Sequence, residues 1–357
     1  MKSGYFVIDA DGHVCDNQET IRPFVDPKFR NRPLVPGSVA DRSVGGKYGK
    51  RHQDPAIQID DMDIEGIDIA VLYGTGSLAM TKLKERELAV AVHRAYNDWL
   101  ATYCSHNPNR LKGVAALPMI EPEKAARELE RAVTELGFIG GMAHTWIFNH
   151  HVGEPCYDEL YSCAQQYNVP IAFHASGAEI DRFDTFLAEH TIGHSHEQMC
   201  ATLFVVYSGV LEKFPNLNVG FLEGMVGWIP FLAERMCEEY EHRPHDAPLL
   251  TKQPVEYFKS GRMFFGAEPD EWMIPTVIRF LGTDETLLYA SDYPHWDSGF
   301  PNTTRTLVER SDLTIENKRN ILGENARRFY PALADASVPI EARKKEEMSR
   351  VSSPAQP

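Results

Sequence analysis

The chain has 357 residues and a formal net charge of −15, with 43% hydrophobic and 24% charged residues. This composition excludes a disordered or fibrous chain and is sufficient for a sizeable buried core. The acidic balance argues against a nucleic-acid-binding surface, which needs clustered Lys and Arg, and against adhesion to an anionic membrane. At about 150 residues per domain the length allows two domains, although a single α/β barrel of this size is equally usual.

The cysteines and the apolar segments indicate the compartment. Six cysteines are scattered along the chain without a Cys-x-x-Cys pair, which is typical of reduced thiols in a cytosolic protein. The apolar run near the N-terminus is too short for a secretory signal, and no stretch approaches the ~20 apolar residues of a membrane span. We therefore expect a cytoplasmic protein without nucleic-acid or membrane partners.

Short apolar runs alternate with helical patterns along most of the chain. The first run, residues 5–9, predicts a buried strand. Residues 16–55 are rich in Pro, Gly, Arg and Asp without a sustained period, and we interpret them as a long insertion loop. Further strands are predicted at 67–73, 111–118, 138–142, 170–174, 219–223, 263–265 and 287–292. Helices are predicted at 84–106, 122–136, 156–167, 203–214 and 230–239, and again after the last strand.

About eight strands that alternate with helices predict a (β/α)8 TIM-type barrel with a helical C-terminal extension, and a doubly wound open sheet is the alternative. We expect one barrel domain over residues 1–335, with residues 16–55 as its insertion loop. Residues 336–357 are charged and then rich in Ser and Pro, which predicts a flexible or partner-contacting tail.

Polar residues directly follow several predicted strands. Asp11 and His13 follow the first strand, and His174, Glu223 and Asp292 end three later ones. Because the carboxyl ends of all strands in a barrel lie on one face, we expect these side chains to share one cavity. Asp11 and His13 are two residues apart and share a face of an extended strand, so both can reach one ion. Imidazole together with carboxylate suits Zn, and also Mn or Fe.

Six segments carry a family resemblance. They are DADGH (9–13), DMDIEGID (61–68), IAFH (171–174), GVLEKFP (209–215), EGMVGWIP (223–230) and SDYPHW (291–296). Over about residues 5–330 the chain resembles the amidohydrolase superfamily, in its aminocarboxymuconate-semialdehyde decarboxylase-like branch. The resemblance implies a (β/α)8 barrel, a homodimer and one divalent metal ion, Zn or alternatively Mn. It places the metal ligands at Asp11, His13, His174 and Asp292.

Two positions depart from the pattern of that branch. The first motif of that branch is often His-x-His, whereas this chain has Asp11 in place of the first His. The extra carboxylate makes the site more anionic, which raises the prospect of Mn or Mg beside Zn. Decarboxylases of the branch commonly carry a His where this chain has Glu223. A Glu can transfer a proton if a desolvated site raises its pKa, but it cannot be a cationic donor.

Other side chains are candidates for catalysis or substrate binding. His194 is a candidate catalytic residue and His196 a candidate substrate contact, in a segment (190–199) interpreted as a loop over the mouth of the site. His295 and Trp296 follow Asp292 and are further candidate substrate contacts, Trp296 as a wall of an aromatic pocket. Ordinary structural roles are the alternative for each of these residues.

Two reactions are compatible with such a site. A metal with an open position can lower the pKa of its water toward ~7, or it can bind a substrate carboxylate as CO2 leaves. We expect non-oxidative decarboxylation of a small aromatic or enolic carboxylic acid, with Asp292, Glu223 and His194 as the candidate catalytic residues. The alternative is hydrolysis of an amide, ester, lactone or C–C bond by activated water, with Glu223 or Asp292 as base. A non-catalytic barrel kept as a scaffold is a third interpretation.

Overall fold

The structure is a computed structural model that describes residues 4–34, 54–145, 147, 150–175 and 183–336. Its strands are β1 (Ile8–Val14), β2 (Ile69–Gly74), β3 (Leu111–Gly113), β4 (Ala115–Ala116), β5 (Gly141–His144), β6 (Ile171–His174), β7 (Val219–Leu222), β8 (Met263–Ala267) and β9 (Leu287–Tyr289). Its α-helices are α1 (Gln18–Ile21), α2 (Pro55–Glu65), α3 (Arg86–Cys104), α4 (Pro122–Glu135), α5 (Asp158–Gln166), α6 (Phe186–Tyr207), α7 (Val210–Lys213), α8 (Ile229–His242), α9 (Pro254–Phe258), α10 (Ile274–Leu281), α11 (Thr303–Glu309), α12 (Ile315–Arg319) and α13 (Asn325–Phe329).

The strands pair in parallel and in chain order. β1, β2 and β3 form one hydrogen-bonded group, and β4 to β9 form a second. The two groups meet at Val114, whose N–H donates to Leu72 O (3.3 Å), while the N–H of Ala115 donates to Gly140 O (3.0 Å). β3 and β4 therefore occupy one position in the barrel wall, so that the nine strands of the described ranges fill eight positions.

Hydrogen bonds between β1 and the segment after β9 close the (β/α)8 barrel. The N–H of His13 donates to Tyr293 O (2.7 Å), and the N–H of Asp292 donates to Asp11 O (3.1 Å). The carboxyl group of Asp9 also accepts hydrogen bonds from the backbone N–H (3.0 Å) and the hydroxyl (2.6 Å) of Ser291. These bonds bring the first and the last polar motif of the chain together.

An aromatic layer fixes which way the strand ends face. Phe173, Phe221 and Phe265 lie at neighbouring positions of β6, β7 and β8 and stack with ring centroids 5.4 and 5.7 Å apart. Phe258 of α9 stacks on Phe265, so this layer lies between the sheet and its helices. Because successive residues of a strand point to opposite faces, His174 points away from the layer and into the barrel.

Most predicted elements are confirmed to within a few residues. α3, α4 and α5 lie inside the predicted helices at 84–106, 122–136 and 156–167. The predicted strand at 138–142 begins later, at Gly141, and reaches His144. The predicted strand at 287–292 ends at Tyr289, which leaves the polar residues of this segment in the turn that follows.

The largest difference from the sequence prediction lies between β6 and β7. The sequence predicts a loop at 190–199 and a helix at 203–214, whereas α6 spans Phe186–Tyr207 and begins after a Thr185 cap. α7 follows only after Gly209, whose φ of +65° interrupts the helix. The prediction was wrong because α6 contains several Thr, His and Gly residues, which are weak helix formers, while its position depends on contacts with the strand ends.

The described parts of the predicted insertion loop are partly helical. Asn17 caps α1, Pro27 begins a short 3-10 turn, and α2 begins at Pro55 after its cap at Asp54. Proline suggested irregular structure, yet it is well tolerated in the first turn of a helix. Residues 35–53 of this predicted loop and residues 337–357 of the predicted tail lie outside the described residues.

Among the helices of the described ranges, none is both long and apolar enough to cross a membrane. α6, the longest of them at 22 residues, carries His and Glu side chains along its length.

Gly220 of β7 permits close approach of α13, which gives a test of the packing. A Cβ at this position would lie 2.5 Å from Cζ of the buried Phe329. We expect Gly220→Ala to lower the free energy of unfolding by about 1–3 kcal/mol, because the strand and the helix cannot both keep their positions. Urea denaturation measures this change, and Gly299→Ala on an exposed turn serves as the control. A Gly220→Ala protein as stable as the wild type would contradict the packing.

Candidate metal centre

Four side chains from three strand ends meet at the mouth of the barrel. Asp11 and His13 come from β1, His174 is the last residue of β6, and Asp292 lies three residues beyond β9. The Nε2 atom of His174 lies 3.3 Å from Nε2 of His13 and 3.4 Å from Oδ1 of Asp11. The Nε2 atom of His13 lies 3.6 Å from Oδ1 of Asp11 and 3.5 Å from Oδ1 of Asp292. The structure thus groups three of the predicted ligands, Asp11, His13 and His174, and brings the fourth, Asp292, to the same place beside His13.

These separations suit ligands arranged around one ion. Ligand atoms at 2.0–2.1 Å from a tetrahedral zinc ion lie about 3.4 Å from one another. In the described part of the chain, the buried atoms Oδ1 of Asp11 and Oε2 of Glu223 have no hydrogen-bond partner. Buried carboxylate oxygens without a partner are costly, and a divalent cation would offset this cost. The residues present therefore fit a metal ion.

The electrostatics of the cluster also favour a bound cation. Burial raises the pKa of Glu223 and of Asp292 well above the usual range, and neighbouring carboxylates raise both further. Burial lowers the pKa of His13 to about 3. Burial also tends to lower the pKa of His174, but the neighbouring carboxylates of Asp11 and Glu223 have the larger effect and raise this pKa to about 9. The cluster therefore concentrates negative charge that needs a proton or a metal ion beside it.

The backbone is strained at two of the site residues. Glu223 and Asp292 both have a φ of +52°, in the left-handed region that residues with a Cβ rarely adopt. Such conformations persist where the surrounding structure holds them, and they concentrate at functional sites. The bond from the N–H of Asp292 to Asp11 O, which helps to close the barrel, is one such restraint.

α6 lies across the ends of β6 and β7. The side-chain amide of Gln198 donates hydrogen bonds to Phe173 O (3.0 Å) and to Leu222 O. The hydroxyl of Ser195 donates to Gly224 O (2.8 Å). These side chains replace backbone partners at the strand ends and so fix the position of the helix over the site.

His194 and Trp296 lie at increasing distance from the cluster. The Nε2 atom of His194 lies 3.6 Å from Oε1 of Glu223, and 17% of the His194 side chain is exposed. Burial lowers the pKa of His194 to about 3. The His190 ring lies 4.7 Å from the ring of His194 and 5.5 Å from that of Trp296, a residue that is 44% exposed. Because residues four apart share a helix face, the spacing of His190, His194 and Gln198 was a signal for α6 that sequence reasoning missed.

His295 contacts the cluster directly. Its Nδ1 atom lies 2.6 Å from Oδ1 of Asp292 and 3.8 Å from Oε1 of Glu223. Its Nε2 atom lies 3.0 Å from the hydroxyl of Thr75, a residue that sequence reasoning did not select. The ring is thus held between β2 and the turn that carries Asp292.

His196 contacts residues outside the cluster. Its Nδ1 atom lies 3.5 Å from Oε1 of Glu197, and its Nε2 atom lies 3.8 Å from Sγ of Cys200. Two residues along a helix correspond to a rotation of about 200°, so His196 and His194 lie on different faces of α6. The structure does not bring His196 to the cluster, and its role in substrate binding stays a prediction.

Glu268 is a further site residue that the sequence analysis missed. It directly follows β8 and lines a small cavity together with Asp11, Glu223 and Asp292. Burial raises the pKa of its carboxyl group to about 8. The strand-end rule that selected the other residues also applies to Glu268, but the predicted strand at 263–265 ended two residues too early.

Comparisons with known proteins find similar sequences and similar folds. A family model described as Amidohydrolase matches residues 8–332. The gamma-resorcylate decarboxylase of Polaromonas sp. is 28% identical over 297 residues, which cover 76% of this chain and 88% of that protein. The 2-amino-3-carboxymuconate-6-semialdehyde decarboxylase of Dictyostelium discoideum is 25% identical over 279 residues, which cover 77% of this chain and 76% of that protein. A crystal structure of dihydroxybenzoic acid decarboxylase from Polaromonas sp., with bound manganese and the inhibitor 2-nitroresorcinol, has a TM-score of 0.73 at 21% identity and covers 92% of this chain and 98% of that chain.

The metal content of a ligand variant tests the site. We expect the wild-type protein to hold one divalent ion per chain and His174→Gln to lose most of it, because an imidazole that faces Asp11 and His13 is removed. Mass spectrometry of the metal in purified protein measures the stoichiometry. The exposed residue His106 provides the matched control, since His106→Gln should keep full metal content.

Stability gives a second measure of the same prediction. Saturating the metal-depleted wild type with Mn²⁺ or Zn²⁺ at 100 times its Kd should add about 2.7 kcal/mol to the free energy of unfolding. The gain should be much smaller for His174→Gln. Full metal content and an undiminished gain in the variant would contradict the assignment of His174 as a ligand.

Proposed function

The chain belongs to the amidohydrolase family, and we propose that it is a divalent-metal-dependent decarboxylase of a small aromatic carboxylic acid. The observation that carries this proposal is the buried cluster of imidazoles and carboxylates at the carboxyl ends of the barrel strands. Similarity to decarboxylases named for gamma-resorcylate and for aminocarboxymuconate semialdehyde supports the reaction type. The proposed ligands are Asp11, His13, His174 and Asp292.

The proposed cofactor is a single divalent ion, with manganese or zinc as the candidates. Manganese in the similar dihydroxybenzoic acid decarboxylase supports the first, as do two carboxylates among four ligands. Two imidazoles suit the second equally. The ion would supply positive charge to the carboxylate of the substrate and to a hydroxyl beside it.

Glu223 is the proposed proton donor. When the C–C bond to the carboxylate breaks, CO2 leaves and the electron pair stays on the ring carbon, which then needs a proton. Only 13% of the Glu223 side chain is exposed, and its partial burial at the cluster raises its pKa, so its carboxyl group can carry that proton. Delivery of the proton forms the new C–H bond and leaves Glu223 ionised.

His194, Asp292 and the rim residues complete the proposed site. His194 lies 3.6 Å from Glu223 and is partly exposed, so it offers a path by which Glu223 regains a proton from solvent. Asp292 lies 2.6 Å from Nδ1 of His295 and holds that ring beside the cluster, where the ring is a proposed substrate contact. Trp296, with its ring at the rim of the mouth, is the proposed wall for the aromatic ring of the substrate.

A metal-dependent hydrolase is the second candidate function. The observation that favours it is Glu223 itself, because a carboxylate at this position can accept a proton from an attacking water, as can Asp292. Amides, esters, lactones and compounds with a hydrolysable C–C bond are the corresponding substrates.

The cellular setting is part of the proposal. The six cysteines are free thiols, which supports a reducing, cytoplasmic location. The family resemblance supports a homodimer. Light scattering on the metal-loaded protein determines the oligomeric state.

Substrate turnover separates the two candidate reactions. We expect the metal-loaded protein to release CO2 from one or more dihydroxybenzoates and to leave amides, esters and lactones unchanged. Glu223→Gln keeps the size of the side chain but removes the ionisable proton, so it should lower kcat by about 10²- to 10⁴-fold with the metal content unchanged. Hydrolysis without CO2 release would favour the second candidate, and a full rate in Glu223→Gln would exclude Glu223 as proton donor.

Two histidines of α6 form a matched pair for a further test. We expect His194→Gln to lower kcat by at least about 10²-fold, because the path between Glu223 and solvent is interrupted. His196→Gln lies on another face of the same helix and should change neither kcat nor KM. Steady-state kinetics measures both variants. Equal effects of the two substitutions would contradict the role of His194, and a raised KM in His196→Gln alone would support the substrate contact predicted from the sequence.

A further inference from the structure

A second pair of buried histidines lies outside the ligand cluster. His93 of α3 and His144 at the end of β5 are 2% and 1% exposed, with ring centroids 6.0 Å apart. The Nδ1 atom of His93 lies 2.7 Å from Ala89 O, so its proton is donated there and Nε2 is left as an acceptor. Within the described ranges, Nε2 of His93 and both ring nitrogens of His144 have no hydrogen-bond partner.

The two rings line a small cavity that is otherwise mainly apolar. Its walls include Met80, Leu83, Met119 and Ile120, from the segments that follow β2 and β4. A buried polar atom without a partner costs about 1–3 kcal/mol, so the three unpaired ring nitrogens of His93 and His144 are expensive. An occupant that hydrogen-bonds to both rings reduces this cost.

The cavity lies beside the metal centre. His144 is the register partner of His174 across the β5–β6 pair, and neighbouring strands are about 4.8 Å apart. The N–H of Thr145 donates to His174 O (3.4 Å), which holds the two strand ends together. The cavity therefore lies one strand away from the position of a carboxylate bound at the metal centre.

The chemistry of the cavity selects its occupant. Burial lowers the pKa of His93 to about 4 and holds that of His144 well below its usual value, so both rings are neutral. The described lining includes no Lys or Arg that could neutralise an anionic group. A hydroxyl group matches the two rings, because it can donate to Nε2 of His93 and accept a hydrogen bond from an N–H of His144. The cavity has a volume of about 20 Å³, which leaves room for one such group.

We propose that the cavity between His93 and His144 is a substrate subsite for a ring hydroxyl group, and that it decides which hydroxylated benzoates the protein accepts. The proposal rests on the function proposed above, which places the carboxylate of the same ring at the metal centre. His93 and His144 are thereby specificity-determining residues that act by contact with the substrate, apart from the metal and the proton donor.

Equilibrium binding of unreactive ligands tests the subsite without turnover. The probes are 2-nitrophenol and its derivatives with one added ring hydroxyl at each position, including 2-nitroresorcinol, measured by calorimetry on the manganese-loaded protein. We expect at least one hydroxylated derivative to bind 10- to 100-fold more tightly than 2-nitrophenol. In His93→Phe and in His144→Phe this preference should disappear, while the affinity for 2-nitrophenol and the metal content stay at wild-type values.

Two sets of variants keep the result interpretable. His93→Phe and His144→Phe remove unsatisfied polar atoms, so urea denaturation should show them at least as stable as the wild type. His93→Gln and His144→Gln restore hydrogen-bonding groups and should keep part of the preference. His106→Phe, at an exposed position, is the control that should change none of these measurements.

The outcomes distinguish this inference from the proposed function. A hydroxyl preference that depends on His93 and His144 supports the subsite even if no benzoate is decarboxylated, in which case only the proposed reaction fails. Decarboxylation with a hydroxyl preference that survives both Phe substitutions overturns the subsite and leaves the reaction standing. A wild-type protein that binds all probes equally shows that the cavity holds water only, and this also overturns the subsite.

Discussion

Buried negative charge is the constraint on which the rest of this site depends. Asp11, Glu223 and Asp292 lie at the mouth of the barrel with little access to water, and Glu268 lines the same cavity. Carboxylates in such a place are stable only beside a cation or a proton. The imidazoles that face them, the directions of their pKa values and the match to the amidohydrolase family all fit a divalent ion that balances this charge.

Closure of the barrel is what assembles the charges. Asp9 and Asp11 belong to the first strand and Ser291 and Asp292 to the last, and they meet through hydrogen bonds between carboxyl, hydroxyl and backbone groups. The same bonds hold Asp292 in its left-handed conformation. The hydrogen bonds that close the barrel therefore also position the proposed ligands. This explains why polar residues lie at strand ends where apolar residues would otherwise be favoured.

Several residues around the proposed ligands belong to elements that the sequence pattern describes poorly. α6 places His194 beside Glu223 through hydrogen bonds of Gln198 and Ser195 to the ends of two strands. Its weak helix formers and the absence of a clear apolar stripe led to a predicted loop. The pair formed by His93 and His144 is likewise invisible in the sequence, because one residue lies on a helix and the other on a strand that are neighbours only after folding.

The sequence by itself determined the alternation of strands and helices, the expected barrel and the five polar residues that end its strands, because these depend on local patterns: apolar runs, and the polar residues that follow them. The family resemblance then selected four of these five residues as the proposed metal ligands. Only the tertiary structure decided that His194 and not His196 reaches the cluster, that Glu268 lines the cavity, and that two buried imidazoles lie one strand away from His174. These relations depend on the packing angle of a helix and on strand register. Both arise from contacts between segments far apart along the chain, so no periodic pattern within a single segment predicts them.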